Sequence, residues 1–167
     1  MNNAGELFLQ SALKEFQDYK KMGDKTFAQL NEAEFHYQPN EECNSIAINI
    51  QHMHGNMLSR WTNFLTEDGE KEWRERDGEF EVHDFSKEKL IQLWEEGWQL
   101  VFGTIESLTD EDVGKTILIR SKPLSVTGAI NRQIAHYAYH VGQIVLIAKM
   151  LKGKEWITLS IPRAKHV

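Results

Sequence analysis

The chain has 167 residues, 41% hydrophobic and 26% charged, with 19 Lys and Arg against 25 Asp and Glu for a net charge of −6 at pH 7. That length suits one domain, residues 1–167, with a sizeable core, and the acidic balance argues against wrapping nucleic acid or docking on anionic lipid, which need a basic footprint. The single cysteine, Cys43, excludes an intramolecular disulfide.

No basic stretch leading into an apolar run follows Met1, so no signal peptide is expected and the cytoplasm is the default compartment. Helical periodicity marks four segments. The first, residues 6–30, spaces Leu9, Leu13, Phe16, Phe27 and Leu30 as an apolar face. Gln38-Pro39-Asn40 breaks any helix, so residues 31–44 read as a loop. The second helix opens at Asn44 or Ser45, both good N-caps, and runs to about Thr66 with Ile46, Ile50, Met53, Met57, Trp61 and Phe64 on one face. A charged stretch, Glu67 to Phe85, is expected as surface loop. Ser86 caps the third helix, whose core stripe is Leu90, Trp94, Trp98, Val101, Ile105 and Leu108.

Lys115 to Arg120 has β character, and Ser121-Lys122-Pro123 can turn it back on Leu124-Ser125-Val126 as a small hairpin. The fourth helix spans about Thr127 to Leu151. Gly153 ends it, and an extended arm to Val167 follows. The expected fold is all-α, a four-helix bundle with a small β-hairpin before the last long helix.

The charges are unevenly spread. Neither residues 43–59 nor residues 133–148 contain Asp, Glu, Lys or Arg. An ordinary bundle helix keeps a charged face towards water, and the many Asn, Gln and His residues of the first stretch exclude a membrane span. Both stretches are therefore expected to be buried on more than one side. At about 100° per residue, Asn49, His52, Asn56 and Asn63 share one stripe of the second helix. His136 and His140 sit one turn apart on the fourth, flanked by Gln133 and Gln143, while Ile134, Tyr137, Val141, Val145 and Ala148 take the core side. Facing each other, the polar stripes would line a cavity inside the bundle.

His136-x-x-x-His140 projects two imidazoles from one helix face, a spacing that can grip one metal ion. Solvent-facing histidine pairs share this spacing, but a charge-free stretch makes that reading weaker here. No Glu follows His136, so the zinc-protease signature is absent. His52 and His54 compete as third ligand. They point to opposite sides of their helix, and the Asn stripe favours His52 while His54 falls in the apolar arc, as a packed or rim residue. His36, His83 and His166 sit in loops or the tail and read as surface residues.

Residues 44–52 (NSIAINIQH), 55–61 (GNMLSRW), 68–71 (DGEK), 74–80 (RERDGEF) and 132–143 (RQIAHYAYHVGQ) carry a resemblance. The chain resembles the DinB/YfiT-like superfamily of metalloenzymes, within a branch of unassigned function. The resemblance implies an up-down-down-up bundle whose metal, a divalent ion such as Zn or Ni, is held by three histidines: His52, seven residues after Ser45, with His136 and His140. It also implies a homodimer, and reactions among relatives that include thiol-dependent S-transfer with a low-molecular-weight thiol and metal-dependent hydrolysis.

Three neutral imidazoles leave open coordination positions, as catalytic metal sites do. Asn49, Asn56 and Gln143 are candidates for hydrogen bonds to the ligands or to a small-molecule substrate. Tyr137 suits packing, and Tyr139 the cavity rim. Arg60 and Arg132, which flank the charge-free stretches, can pair with an anionic substrate or with solvent. Cys43 lacks metal-ligand spacing and reads as a loop or half-buried thiol. The polar stripes hold no carboxylate to act as general base, which favours thiol transfer over hydrolysis; a non-catalytic binding or stress protein is the third class.

Overall fold

The structure, a computed structural model, describes residues 3–162. His166 and the end of the expected C-terminal arm lie outside them. Four long helices dominate: α1 (Ala4–Phe27), α3 (Ile46–Trp61), α4 (Lys87–Ser107) and α5 (Val126–Lys152), with a short α2 (Glu32–Phe35). Each long helix begins at a residue whose side chain accepts a backbone N–H of the first turn: Asn3, Ser45, Ser86 and Ser125. Such caps satisfy donors that no helix can satisfy internally.

Pairwise contacts set the helix directions. Asp24 accepts from the Trp94 indole while Leu9 and Leu13 near Ile105, so α1 and α4 run antiparallel. His54 meets Glu96 and Trp61 meets Thr104, so α3 and α4 are parallel. His140 reaches Asn49 and Tyr137 reaches Asn56, which makes α5 antiparallel to α3. The order is up, down, down, up, as expected. Parallel neighbours need a long crossover, and residues 62–86 supply it.

One large aromatic from each long helix meets at the centre. Phe16 lies 5.7 Å from Trp61, 6.1 Å from Trp98 and 5.7 Å from Tyr137, centroid to centroid. All four are fully or almost fully buried. The approach of α3 to α4 depends on Gly97, where a Cβ would stand 2.6 Å from the Met57 sulfur.

Several boundaries differ from the expectations. α3 stops at Trp61 rather than Thr66; Asn63 then takes φ 50°, a left-handed turn that Asn tolerates. The predicted loop 31–44 contains α2, nucleated by a capping box between Asn31 and Glu34 and anchored by buried Phe35 on Phe27. The hairpin is present, with β1 (Thr116–Ile119) antiparallel to β2 (Lys122–Ser125). Its turn is Arg120-Ser121, one step before the expected one, and α5 starts at Val126, one residue early. The chain after Gly153 first makes a 3-10 turn, Gly153–Glu155, before it extends.

Candidate metal centre

α3 and α5 bring His52, His136 and His140 together, with one ring nitrogen of each within 4.8 Å of the others. The Nε2 atom of His136 is 3.3 Å from that of His52 and 3.1 Å from that of His140. The outer nitrogens decide the tautomers. His140 Nδ1 donates to Asn49 Oδ1 at 2.8 Å, and the Asn49 amide nitrogen is committed to the Ser45 carbonyl, which leaves its oxygen towards the imidazole. His52 Nδ1 donates to a carboxylate oxygen of Glu79 at 2.9 Å. Both rings therefore present an Nε2 lone pair inward. Lone pairs so close repel each other unless a proton or a cation sits between them.

The two separations from His136 fit a metal. Two nitrogens held at Zn–N lengths of 2.0–2.1 Å on a tetrahedral centre lie about 3.3 Å apart. Burial pushes His136 down to about 3, helped by the charges of His140, His52, Arg60 and Arg74. His140 is lowered to about 4 by burial and by His52, against an opposing contribution from Gln143. Rings held neutral at pH 7 are competent ligands without an initial proton loss. Three imidazoles suit Zn, Ni, Fe or Cu and do not select among them.

Glu79 belongs to the segment expected as surface loop, and here the expectation is corrected. Its side chain is 9% exposed and that of Arg74 is 2% exposed. Arg74 grips Glu79 through Nε and Nη2, at 2.7 and 2.9 Å. Burial pushes the Glu79 carboxyl up, but hydrogen bonds from His52 and Arg74 outweigh it and hold it below the ordinary carboxylate range. Gly55 on α3 provides the room, since a Cβ there would stand 2.2 Å from a Glu79 oxygen. The Phe80 ring tilts against His52 at 4.6 Å. The crossover thus closes over the histidines because a salt bridge and a ring contact hold it down. A glycine inside a helix was the one local sign of such an approach.

The remaining candidates divide. Asn56 accepts from the Tyr137 hydroxyl, which itself accepts from the Trp61 indole, so the Asn56 oxygen is tied to the core. Asn56 also lines a cavity of about 210 Å³ with His52, His136, Gln133 and five arginines, Arg60, Arg74, Arg76, Arg120 and Arg132. Gln143 lines a separate groove with half-buried Cys43 and exposed Tyr139. Asn63, expected on the polar stripe, is exposed and donates to Glu67, away from the site. His54 is at the rim beside Glu96, His83 is exposed, and His36 is half-buried with Nε2 donating to the Phe85 carbonyl.

The fold and the site together define a helical bundle with a buried three-histidine cluster that can hold a metal. The chain belongs to the family described as protein of unknown function, DUF1572, which matches residues 3–165. No curated protein matches it.

Proposed function

We propose that the chain is a metal-dependent enzyme of the DinB/YfiT-like kind that transfers a low-molecular-weight thiol to an electrophilic small molecule. The observation that carries this reading is the inward convergence of three Nε2 atoms, two of them oriented by Asn49 and Glu79. A divalent metal held by His52, His136 and His140 would supply a Lewis acid that lowers the pKa of a thiol. Asn49 and Glu79 keep the two imidazoles in the ligating tautomer and fix their ring planes. Phe80 and the crossover shield His52 from water. The reaction forms a C–S bond at the electrophile and breaks the bond to its leaving group, which departs with the electron pair. The thiol proton goes to solvent.

Hydrolysis is less well supported. Among the described residues the cavity lining includes no carboxylate, and both oxygens of nearby Glu79 are occupied by Arg74 and His52. The resemblance carries the homodimer with it as a further proposal, open to light scattering.

The test pairs metal analysis with conjugation of monochlorobimane by a panel of small thiols. The purified or reconstituted wild type should hold about one metal per chain and accelerate conjugation. His136→Ala should lose both. A protein that binds no Zn²⁺, Ni²⁺ or Fe²⁺ overturns the reading, and so does one that binds metal yet conjugates no thiol.

A further inference from the structure

We propose that the arginine-lined cavity beside His52 and His136 binds the carboxylate or phosphate of a small anionic substrate. This deepens the function proposed above, and rests on it for the role of the ligand but not for its binding. The cavity lining carries five guanidinium groups and, among the described residues, no acidic side chain. Their ion-pair partners are three carboxylates, Glu70, Glu79 and Asp77, so the cluster keeps a positive excess in a chain of net charge −6, and a low-dielectric wall strengthens the field it makes.

The five arginines do different work. Arg74 is consumed by Glu79 and Glu70, and the two Nη atoms of Arg60 by Glu70 and the Gly69 carbonyl, so these two hold the crossover down while the Arg60 Nε stays free. Arg120 engages Glu70 through Nε alone, and Arg76 touches only exposed Asp77, at 3.5 Å, besides lying over the Phe80 ring. The ion pairs of the cavity arginines do not include Arg132, which is exposed one helical turn before His136. Free guanidinium edges on Arg120 and Arg132 therefore flank the histidines, and a guanidinium edge matches carboxylate or phosphate oxygens in pairs.

Two further observations point to a ligand. Arg60 is 6% exposed and lines the cavity, yet its Nε–H has no partner, an orphaned donor of the kind an anion satisfies. The orphaned Gln133 oxygen is an acceptor and calls for a donor on the same ligand or a water. Buried polar groups are seldom left so. The hairpin tip is also strained. Arg120 and Ser121 both take positive φ, 54° and 59°, in a two-residue turn where Asn-Gly is the favoured pair. Asp68 holds the tip by accepting both backbone N–H groups, at 2.8 and 2.6 Å. Strain maintained by a dedicated contact places Arg120 at the cavity. The volume, about 210 Å³, is below that of drug-sized sites and suits a small acid.

Calorimetric titration of the metal-loaded protein with succinate, inorganic phosphate and the neutral analogue succinamide tests the site. At least one anion should bind, more weakly as salt rises, while succinamide should not. Arg120→Gln and Arg132→Gln should each weaken anion binding at least about tenfold and leave metal content at the wild-type level. Preference for succinate or for phosphate assigns the anionic group. The inference falls if neither anion binds, if succinamide binds equally well, or if the double variant binds as the wild type does, which would mark simple metal ligation by the anion. If anion binding follows the arginines but no thiol is transferred, the proposed function falls and this site stands.

Discussion

Glu79 is the residue whose loss should be felt most widely. Glu79→Ala removes the acceptor for His52 Nδ1 and strands the Arg74 guanidinium, which keeps only Glu70 at 3.4 Å. Breaking a buried ion pair from one side costs about 3–5 kcal/mol, and the residual Glu70 contact places this variant near the lower end. Loss of a carboxylate that orients a metal-bound histidine weakens metal affinity by about 10- to 100-fold. Glu79→Gln keeps an acceptor oxygen but not the charge, so its metal affinity should fall between wild type and Glu79→Ala. Gly55→Ala, by contrast, keeps the carboxylate and displaces it through the new Cβ, 2.2 Å from its present oxygen; it should reproduce the metal defect. Urea unfolding of the metal-free proteins gives the first quantity, and chelator competition for Zn²⁺ the second. Wild-type zinc affinity in both Glu79→Ala and Gly55→Ala would refute the idea that the crossover orients His52.

His136→Ala should abolish metal uptake yet leave the metal-free protein at least as stable, because it deletes a buried Nδ1 that has no partner; His54→Ala should retain full metal content, which metal analysis can decide. The folded-state values of His136 and His140, about 3 and about 4, lie below the ordinary 6.5, so the unfolded chain binds more protons between those limits. Stability of the metal-free protein should therefore be complete above about pH 6.5 and decline as pH falls from there towards 3. Urea midpoints between pH 7 and pH 5.5, above most carboxylate titration, weight the histidines; an equal slope in His136→Ala would contradict the depressed value of His136. Tyr137→Phe leaves the buried Trp61 indole N–H and the Asn56 oxygen without their hydroxyl partner. It should cost about 1–3 kcal/mol, read from thermal or urea unfolding, with metal binding unchanged.

Much of the molecule was legible in one dimension because it depends on local rules. Helix periodicity is read off neighbouring residues, so the core stripes of α1, α3, α4 and α5 could be traced before any contact was known. Ser45, Ser86 and Ser125 bond to backbone groups three residues away, which makes each helix start a local matter. The absence of charge over residues 43–59 marked a helix that is buried almost all round, since an ion is too costly to bury unpaired. Over residues 133–148 the expected burial is not met, because Ala135, Tyr139, Gly142 and Leu146 give α5 an exposed face. The spacing of His136 and His140 and the position of His52 on a polar stripe belong to the same kind of signal.

What tertiary structure alone decided has no periodicity. Glu79 sits 27 residues from the histidine it orients, in a segment whose charges look like those of any solvated loop. Only when Arg74 and His52 surround it does that carboxylate become part of a buried site. Arg60, Arg74, Arg76, Arg120 and Arg132 come from α3, the crossover, the hairpin tip and α5, so no window of the sequence contains their common cavity. Charges can be counted along a chain, but a field is summed in space. The overall charge of −6 gave no hint that a cluster of positive charge stands next to the histidines.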